Sequence, residues 1–218
     1  IFMDSITQIV LGAACGEAVL GKKIGNRALL FGAIGGTIPD LDVFVGKLLF
    51  NNEIDAMAFH RGFMHSFLFA ILAAVGFGML VFWMYNRGKR YGMTTKKEWM
   101  WLFFASIFTH PILDSFTAYG TQLFAPFSDY RVAFNNIAVA DPMYTLPFLI
   151  ALIIMMCFKR TSSNRRLFLQ IGLGVSSLYM LLTLVNKYHV HGVYKQALAD
   201  QQIDYFRFQT QPTILNNI

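Results

Sequence analysis

The apolar run FMHSFLFAILAAVGFGMLVFWMY, Phe63 to Tyr85, decides the fold. A helix needs about 17 to 25 apolar residues to cross a bilayer core, and this run carries no Lys, Arg, Asp or Glu. At its mouth stands His60-Arg61-Gly62-Phe63-Met64-His65-Ser66, two imidazoles and a guanidinium within one short stretch. Ionisable groups at the edge of a membrane segment cost free energy unless they are paired or bound, so they point to a use.

Working outward, three more runs have the length of a span: Trp99 to about Phe116, Met143 to Phe158 with its flanks, and Leu167 to Val185. Ser5 to Leu20 and Arg27 to Ile38 are shorter and read as a tightly packed helical hairpin, spanning or re-entrant. Gly12, Ala13 and Gly16, then Gly32, Gly35 and Gly36, let such helices approach closely. The composition agrees, since 56% hydrophobic and 14% charged residues exclude an ordinary soluble domain. The expected fold is therefore all-α: a polytopic helical membrane protein with four transmembrane helices plus an amino-terminal short-helix hairpin.

Residues 1–185 are expected to form the membrane-embedded domain. Residues 186–218, polar and interspersed with tyrosine, are expected to form an extramembrane carboxy-terminal segment whose abrupt end reads as a truncation. No basic n-region or small-residue cleavage site marks a secretory signal. Cys15 and Cys157 both lie in apolar runs and read as buried free thiols, too few for a disulfide framework.

The net charge of +6 is distributed in a way that argues for topology and against nucleic acid. Twelve of the 18 basic residues fall in three short loops: Lys22, Lys23 and Arg27; Arg87, Lys89, Arg90, Lys96 and Lys97; and Lys159, Arg160, Arg165 and Arg166. These loops are expected on the cytoplasmic side. Alternation of the spans then sends residues 39–62, 117–142, the segment after about 186 and the amino terminus to the opposite face. Ten of the 12 acids and all five histidines fall at or near those ends. Among them are Asp4, Asp40, Asp42, His60, His65, His110, Asp114, Asp141, His189 and His191, gathered from separate segments onto one face.

Three clusters could carry chemistry. In Thr37-Ile38-Pro39-Asp40-Leu41-Asp42 a proline stops a helix and sets two carboxylates just past its end, where both can face one ion. In the opening motif, a helix starting near Gly62 would let His60 and His65 converge and leave Arg61 free to meet an anion, with Ser66 a helix hydrogen-bonding residue. In His110-Pro111-Ile112-Leu113-Asp114, the imidazole and carboxylate at i and i+4 share a helix face about 5 to 6 Å apart at Cβ, a usual way to present two ligands to one metal. Asp141, before Pro142, is a further ligand or supporting acid. His189 and His191 are weaker ligand candidates.

Six or seven nitrogen and oxygen donors without clustered cysteines suit zinc or another divalent first-row ion rather than a structural zinc-thiolate site. More than four donors permit a second ion, an arrangement that fits phosphoester hydrolysis by metal-activated water. Signatures of serine esterases, zincin proteases and P-loop nucleotide chemistry are absent from the sequence.

These residues resemble the YdjM-like, LexA-regulated type of membrane-bound metal-dependent hydrolases. The resemblance is carried by Pro39-Asp40-Leu41-Asp42, His60 through Ser66 and His110 through Asp114, over roughly the first 145 residues. In Met3-Asp4-Ser5-Ile6-Thr7-Gln8, glutamine stands where many members have a histidine after threonine, a departure at the place of an amino-terminal ligand. The resemblance implies a location in the bacterial inner membrane. It also implies distant similarity to helical zinc-dependent phospholipase C and single-strand nuclease folds, which favours phosphoesters over peptides.

The expected function is a metal-dependent hydrolase at the non-cytoplasmic interface, phospholipase-like or phosphodiesterase-like, cleaving a phosphoester or head-group bond of a membrane lipid or lipid-linked substrate. Asp40, Asp42, His60, His65, His110, Asp114 and Asp141 are the expected ligands of a divalent metal, zinc foremost. Arg61 and Asp40 are the expected catalytic residues: Arg61 would bind a substrate oxyanion, and one of the carboxylates would serve as general base. The depth of His110, about 16 Å along its helix, places such a site near head groups. The rival readings are a metal-ion or proton-coupled transporter and a non-catalytic metal-stabilised membrane protein.

Overall fold

The structure is a computed structural model that describes residues 5–53, 55 and 59–213. Asp4, one of the acids expected at the site face, lies outside the described residues. The named regular elements among them are helical, and one antiparallel bridge joins Thr121 to Val132. In chain order, α1 is Ser5–Ile24, α2 Asn26–Thr37, α3 Asp42–Leu49, α4 Phe67–Tyr85, α5 Lys96–Ser115, α6 Pro142–Met156 and α7 Ser163–Asp200. Short 3-10 turns at Pro39–Leu41 and Phe63–His65 connect α2 to α3 and lead into α4.

α1 and α5 form the centre of the bundle. One apolar core joins Leu20, Ile24 and Ala28 to Ala70, Ala74, Trp99 and Phe103, so that α1, α2, α4 and α5 pack together. A second joins Val10, Leu113, Phe148, Leu152 and Leu169, bringing α6 and α7 against the other side of α1 and α5. The hairpin α1–α2 closes as its small residues predict. A Cβ on Gly12 would run into the backbone of Gly32 and Gly36, and one on Gly32 into Gly12 and Gly16. Gly35 serves a different contact, facing Ser106 and Phe103 of α5.

Two helices, α4 and α7, are long and apolar enough to cross a membrane; α2 with residues Pro39–Leu49 makes a third if that pair, bent by 42°, counts as one span. The sequence predicted four spans, and the difference has a physical origin. α5 exists where predicted but places Lys96, Lys97, Glu98, His110 and Asp114 on one 20-residue helix. α6 has 15 residues, about 22 Å at 1.5 Å per residue, short of a hydrocarbon core of about 30 Å.

The change to polar composition near residue 186 falls inside α7, which runs unbroken to Asp200. The following segment folds back on it, where Phe208 stacks on His191 at 4.6 Å and Lys187 Nζ donates to the Thr210 carbonyl. Both cysteines are free, as expected, but only Cys15 is partly covered; Cys157, at the end of α6, is exposed.

The three basic loops meet at one end of the bundle. Lys23 pairs with Glu98 at 2.7 Å, and Arg160 Nη1 donates to the Lys23 carbonyl. Arg165 grips Glu17 through two hydrogen bonds, Nε to Oε1 at 2.7 Å and Nη2 to Oε2 at 2.6 Å, and Asn26 through Nη1. The histidine and aspartate clusters occupy the other end.

Candidate metal centre

Four segments build the site, and each is held by a local feature of its own sequence. Pro39 ends α2 and starts the turn that carries Asp40, with Asp42 opening α3. Helix α4 begins at Phe67, later than Gly62, because Ser66 caps it by accepting from Phe69 N at 3.1 Å. His65 consequently sits in a 3-10 turn before the helix. His110 and Asp114 share one face of α5, which continues through Pro111.

The loop between α5 and α6 is stitched across the opening motif. Gln122 N donates to the Arg61 carbonyl at 3.1 Å, Phe67 N donates to the Leu123 carbonyl at 3.0 Å, and Arg131 Nη2 donates to the His60 carbonyl at 3.0 Å. Arg61 itself has φ of 60°, a left-handed conformation that is an outlier for a long side chain. The turn sends its amide to Asp42 Oδ2 at 2.9 Å and buries its side chain, with Nη1 donating to Thr117 Oγ1 at 2.8 Å and Nε 3.2 Å from Asp114 Oδ2. Arg61 is thus not free to meet an anion, as the sequence suggested; it is 1% exposed and turned onto an acid of the site.

At the centre, His65 Nε2, His110 Nε2, Asp40 Oδ1 and Asp114 Oδ2 converge. The two imidazole nitrogens are 3.2 Å apart. His65 Nε2 lies 3.7 Å from Asp40 Oδ1 and 3.4 Å from Asp114 Oδ2, and His110 Nε2 lies 3.4 and 3.5 Å from the same two oxygens. Ligand atoms about 2.0 to 2.2 Å from a tetrahedral ion stand about 3.3 to 3.6 Å apart, and the separations among His65 Nε2, His110 Nε2 and Asp40 Oδ1 lie close to that range, while Asp114 Oδ2 approaches both imidazoles without joining Asp40 in one group of ligand atoms. Asp40, His65 and His110 alone form a group that could hold a metal ion, with ligand atoms all within 4.8 Å of one another. Asp114 Oδ2 is buried and accepts no hydrogen bond among the described residues, its positive neighbour being Arg61 Nε at 3.2 Å.

The outer groups fix how these ligands point. His110 Nδ1 is 2.6 Å from the Gly36 carbonyl, which can only accept, so Nδ1 carries the proton and Nε2 keeps its lone pair toward the centre. Asp42 lies behind His65, its Oδ2 3.0 Å from Nδ1 and its Oδ1 2.7 Å from His60 Nδ1. Asp42 and His60, expected as direct ligands, are therefore placed as a supporting pair, the usual position of a carboxylate behind a metal-binding imidazole. Asp141 is also placed outside the shell. Its Oδ1 caps α6 by accepting from Met143 N and Tyr144 N, and its Oδ2 accepts from Tyr179 Oη at 2.8 Å. His189 and His191 lie far along α7, with His191 against Phe208.

Two further side chains join the site. Gln8 of α1 donates Nε2 to Asp114 Oδ1 at 2.9 Å and reaches the His110 carbonyl at 3.4 Å. Its signal in the sequence was a glutamine after Thr7 at the place of an amino-terminal ligand. Arg131, half-buried in the loop, feels both Arg61 and Asp42; burial and the Arg61 charge push its guanidinium below the usual range, with Asp42 opposing. Nothing in its sequence neighbourhood marks it. Beside the centre, Asp40, Asp114, Gln8 and Thr117 line a cavity of about 20 Å³, and Ile137 to Val139 separate it from a more open, largely apolar space of about 780 Å³ bounded also by Tyr119 and Pro212.

The family described as YdjM inner membrane protein matches residues 3–190, which takes in every element of the site. The chain is also 30% identical over 159 residues to YfhP of Bacillus subtilis (strain 168), described as an uncharacterized protein. That stretch covers 70% of this chain and 46% of YfhP, so the match spans less than half the length of that relative. No solved structure matches the chain. With helices apolar and long enough to cross a bilayer, this is a membrane protein, and the chain belongs to the YdjM inner membrane protein family.

Proposed function

We propose that this protein is a multi-pass inner-membrane hydrolase that depends on a divalent metal, zinc foremost, and cleaves a phosphoester or head-group bond of a lipid-like substrate on the non-cytoplasmic face. The observation that carries the reading is the convergence of His65 Nε2, His110 Nε2 and Asp40 Oδ1 in one group of ligand atoms, with Asp114 Oδ2 close to both imidazoles. A divalent ion bound among them would supply Lewis-acid polarisation and bring the ionisation of water toward neutral pH.

The chain's own residues supply the rest. The Gly36 carbonyl holds the His110 imidazole in its tautomer, and Asp42 sets a carboxylate 3.0 Å behind His65 Nδ1. Asp40 has the only partly exposed carboxylate of the four converging groups, its side chain 25% accessible, and can take a proton from water as the water oxygen bonds to phosphorus. The ester P–O bond breaks, and the proton passes from Asp40 to the departing alkoxide. Arg61, buried beside Asp114, holds that carboxylate against the two imidazoles. The apolar space beyond Ile137 to Val139 suits a hydrocarbon portion of the substrate.

A carrier would need ionisable groups arranged as a path through both halves of the bundle. At the far end the buried pair Glu17 and Arg165 is closed on itself, which favours the enzyme. The test is metal analysis and a phosphodiester panel on protein purified in nanodiscs. Wild type should hold zinc and turn over at least one lipid-like phosphodiester, and His110→Ala should lose both. Hydrolysis retained by the metal-free variant would overturn the mechanism.

A further inference from the structure

The cavity of about 20 Å³ is bounded by α1, α5 and the segment entering α6, through Thr7, Gln8, Asp40, Asp114, Asp141 and Thr145 among others. A single water needs roughly 10 to 15 Å³ and two to four polar partners, so this space fits one. Gln8 is 6% exposed, and its Oε1 has no hydrogen-bond partner among the described residues. Its orientation is dictated by its neighbours. Asp114 Oδ1 and the His110 carbonyl can only accept, so the amide nitrogen must face them and the oxygen must face away.

Several hydroxyl protons near the cavity are committed elsewhere. Thr117 Oγ1 donates to the Asp114 carbonyl at 2.8 Å, one proton joins Thr7 and Thr145 at 2.5 Å, and Tyr179 donates to Asp141. The Gln8 amide oxygen and the carboxylates of the wall accept. A molecule seated against Gln8 Oε1 must donate to it. A water can place one proton on Gln8 Oε1 and the other on a carboxylate oxygen, which leaves its lone pairs unengaged.

We propose that this cavity is a built water site, that Gln8 Oε1 is its defining acceptor, and that Gln8 positions the water consumed in hydrolysis. The positioning role rests on the hydrolase reading; the water site does not. Gln8 would orient the lone pair of the water while its own Nε2 holds Asp114, coupling nucleophile to ligand shell through one side chain.

The test is a lipidic-phase crystal structure of the zinc-loaded protein at a resolution that places waters, paired with kinetics on a phosphodiester that wild type cleaves. Expected are a water within hydrogen-bond distance of Gln8 Oε1, its loss in Gln8→Met and Gln8→Leu, and a kcat lower by roughly 100-fold at saturating zinc with KM unchanged. A wild-type cavity that is dry, or filled by an ion or side chain, overturns the proposal whatever the activity. A water present in a wild type that cleaves nothing upholds the site and sinks the hydrolase reading. Full kcat in either folded variant overturns the positioning role.

Discussion

Arg61 is strained for a reason that lies in its neighbours. A left-handed backbone costs a non-glycine residue about 1 to 2 kcal/mol, and what it gains is two opposed contacts: the amide on Asp42 and the guanidinium against Asp114. One residue thereby fixes both an inner and an outer carboxylate. Asp42 is the better place to probe this arrangement, because it touches His60, the Arg61 amide and His65 without entering the central four atoms. Asp42→Asn keeps the shape and removes the charge behind His65. Zinc affinity should fall by about 10- to 100-fold, measured by chelator competition, whereas His65→Ala should abolish binding. An unchanged affinity would mean that Asp42 does not orient the imidazole.

Much of this was legible in the chain. The i, i+4 spacing of His110 and Asp114 and the turn after Pro39 each predict where ligands face, since both are local rules. What local rules cannot say is which donor is inner and which outer. Asp42 and His60 satisfy the same spacing arguments as Asp40 and His65, and only the path of the turn, set by Arg61, separates them. Gln8 and Arg131 arrive from segments far away in sequence; Gln8 was marked only as a glutamine in place of a histidine, and no motif announces Arg131.

Among the elements, the far end of the bundle is tied by a buried ion pair in addition to the more exposed Lys23–Glu98 pair. Glu17 of α1 and Arg165 at the start of α7 are both buried, and Arg165 also holds Asn26 and the Phe158 carbonyl. Removing one partner of a buried pair leaves an uncompensated charge and costs about 3 to 5 kcal/mol, whereas replacing both by apolar residues is often near neutral. Glu17→Ala should therefore lower the unfolding midpoint in detergent markedly, and Glu17→Leu combined with Arg165→Leu should recover most of it. Equal loss in the single and double variants would show that packing, and not charge, ties α1 to α7. The helices were legible from their apolar periods, and the close α1–α2 crossing from its glycines. The number of spans was not, because α5 mixes a membrane-like middle with a charged start and a ligand-bearing end.

At the scale of the whole molecule, the separation of charge types predicts an orientation. Lys23, Arg160 and Arg165 meet at one end, with Glu17 and Glu98 neutralised against them, while the histidines and most acids face the other. Short loops rich in lysine and arginine stay in the cytoplasm, which would put the candidate metal centre outside. The two native cysteines must first be removed, because Cys157 is exposed near the basic end and would label by itself. In a Cys15→Ala, Cys157→Ala background, Asp129→Cys tests the loop over the site and Lys89→Cys tests the basic loop; both positions are exposed. A membrane-impermeant maleimide added to intact cells should label Asp129→Cys and leave Lys89→Cys untouched until the membrane is opened. The reverse pattern would turn the protein over and move the candidate site, with any lipid substrate, to the cytoplasmic leaflet.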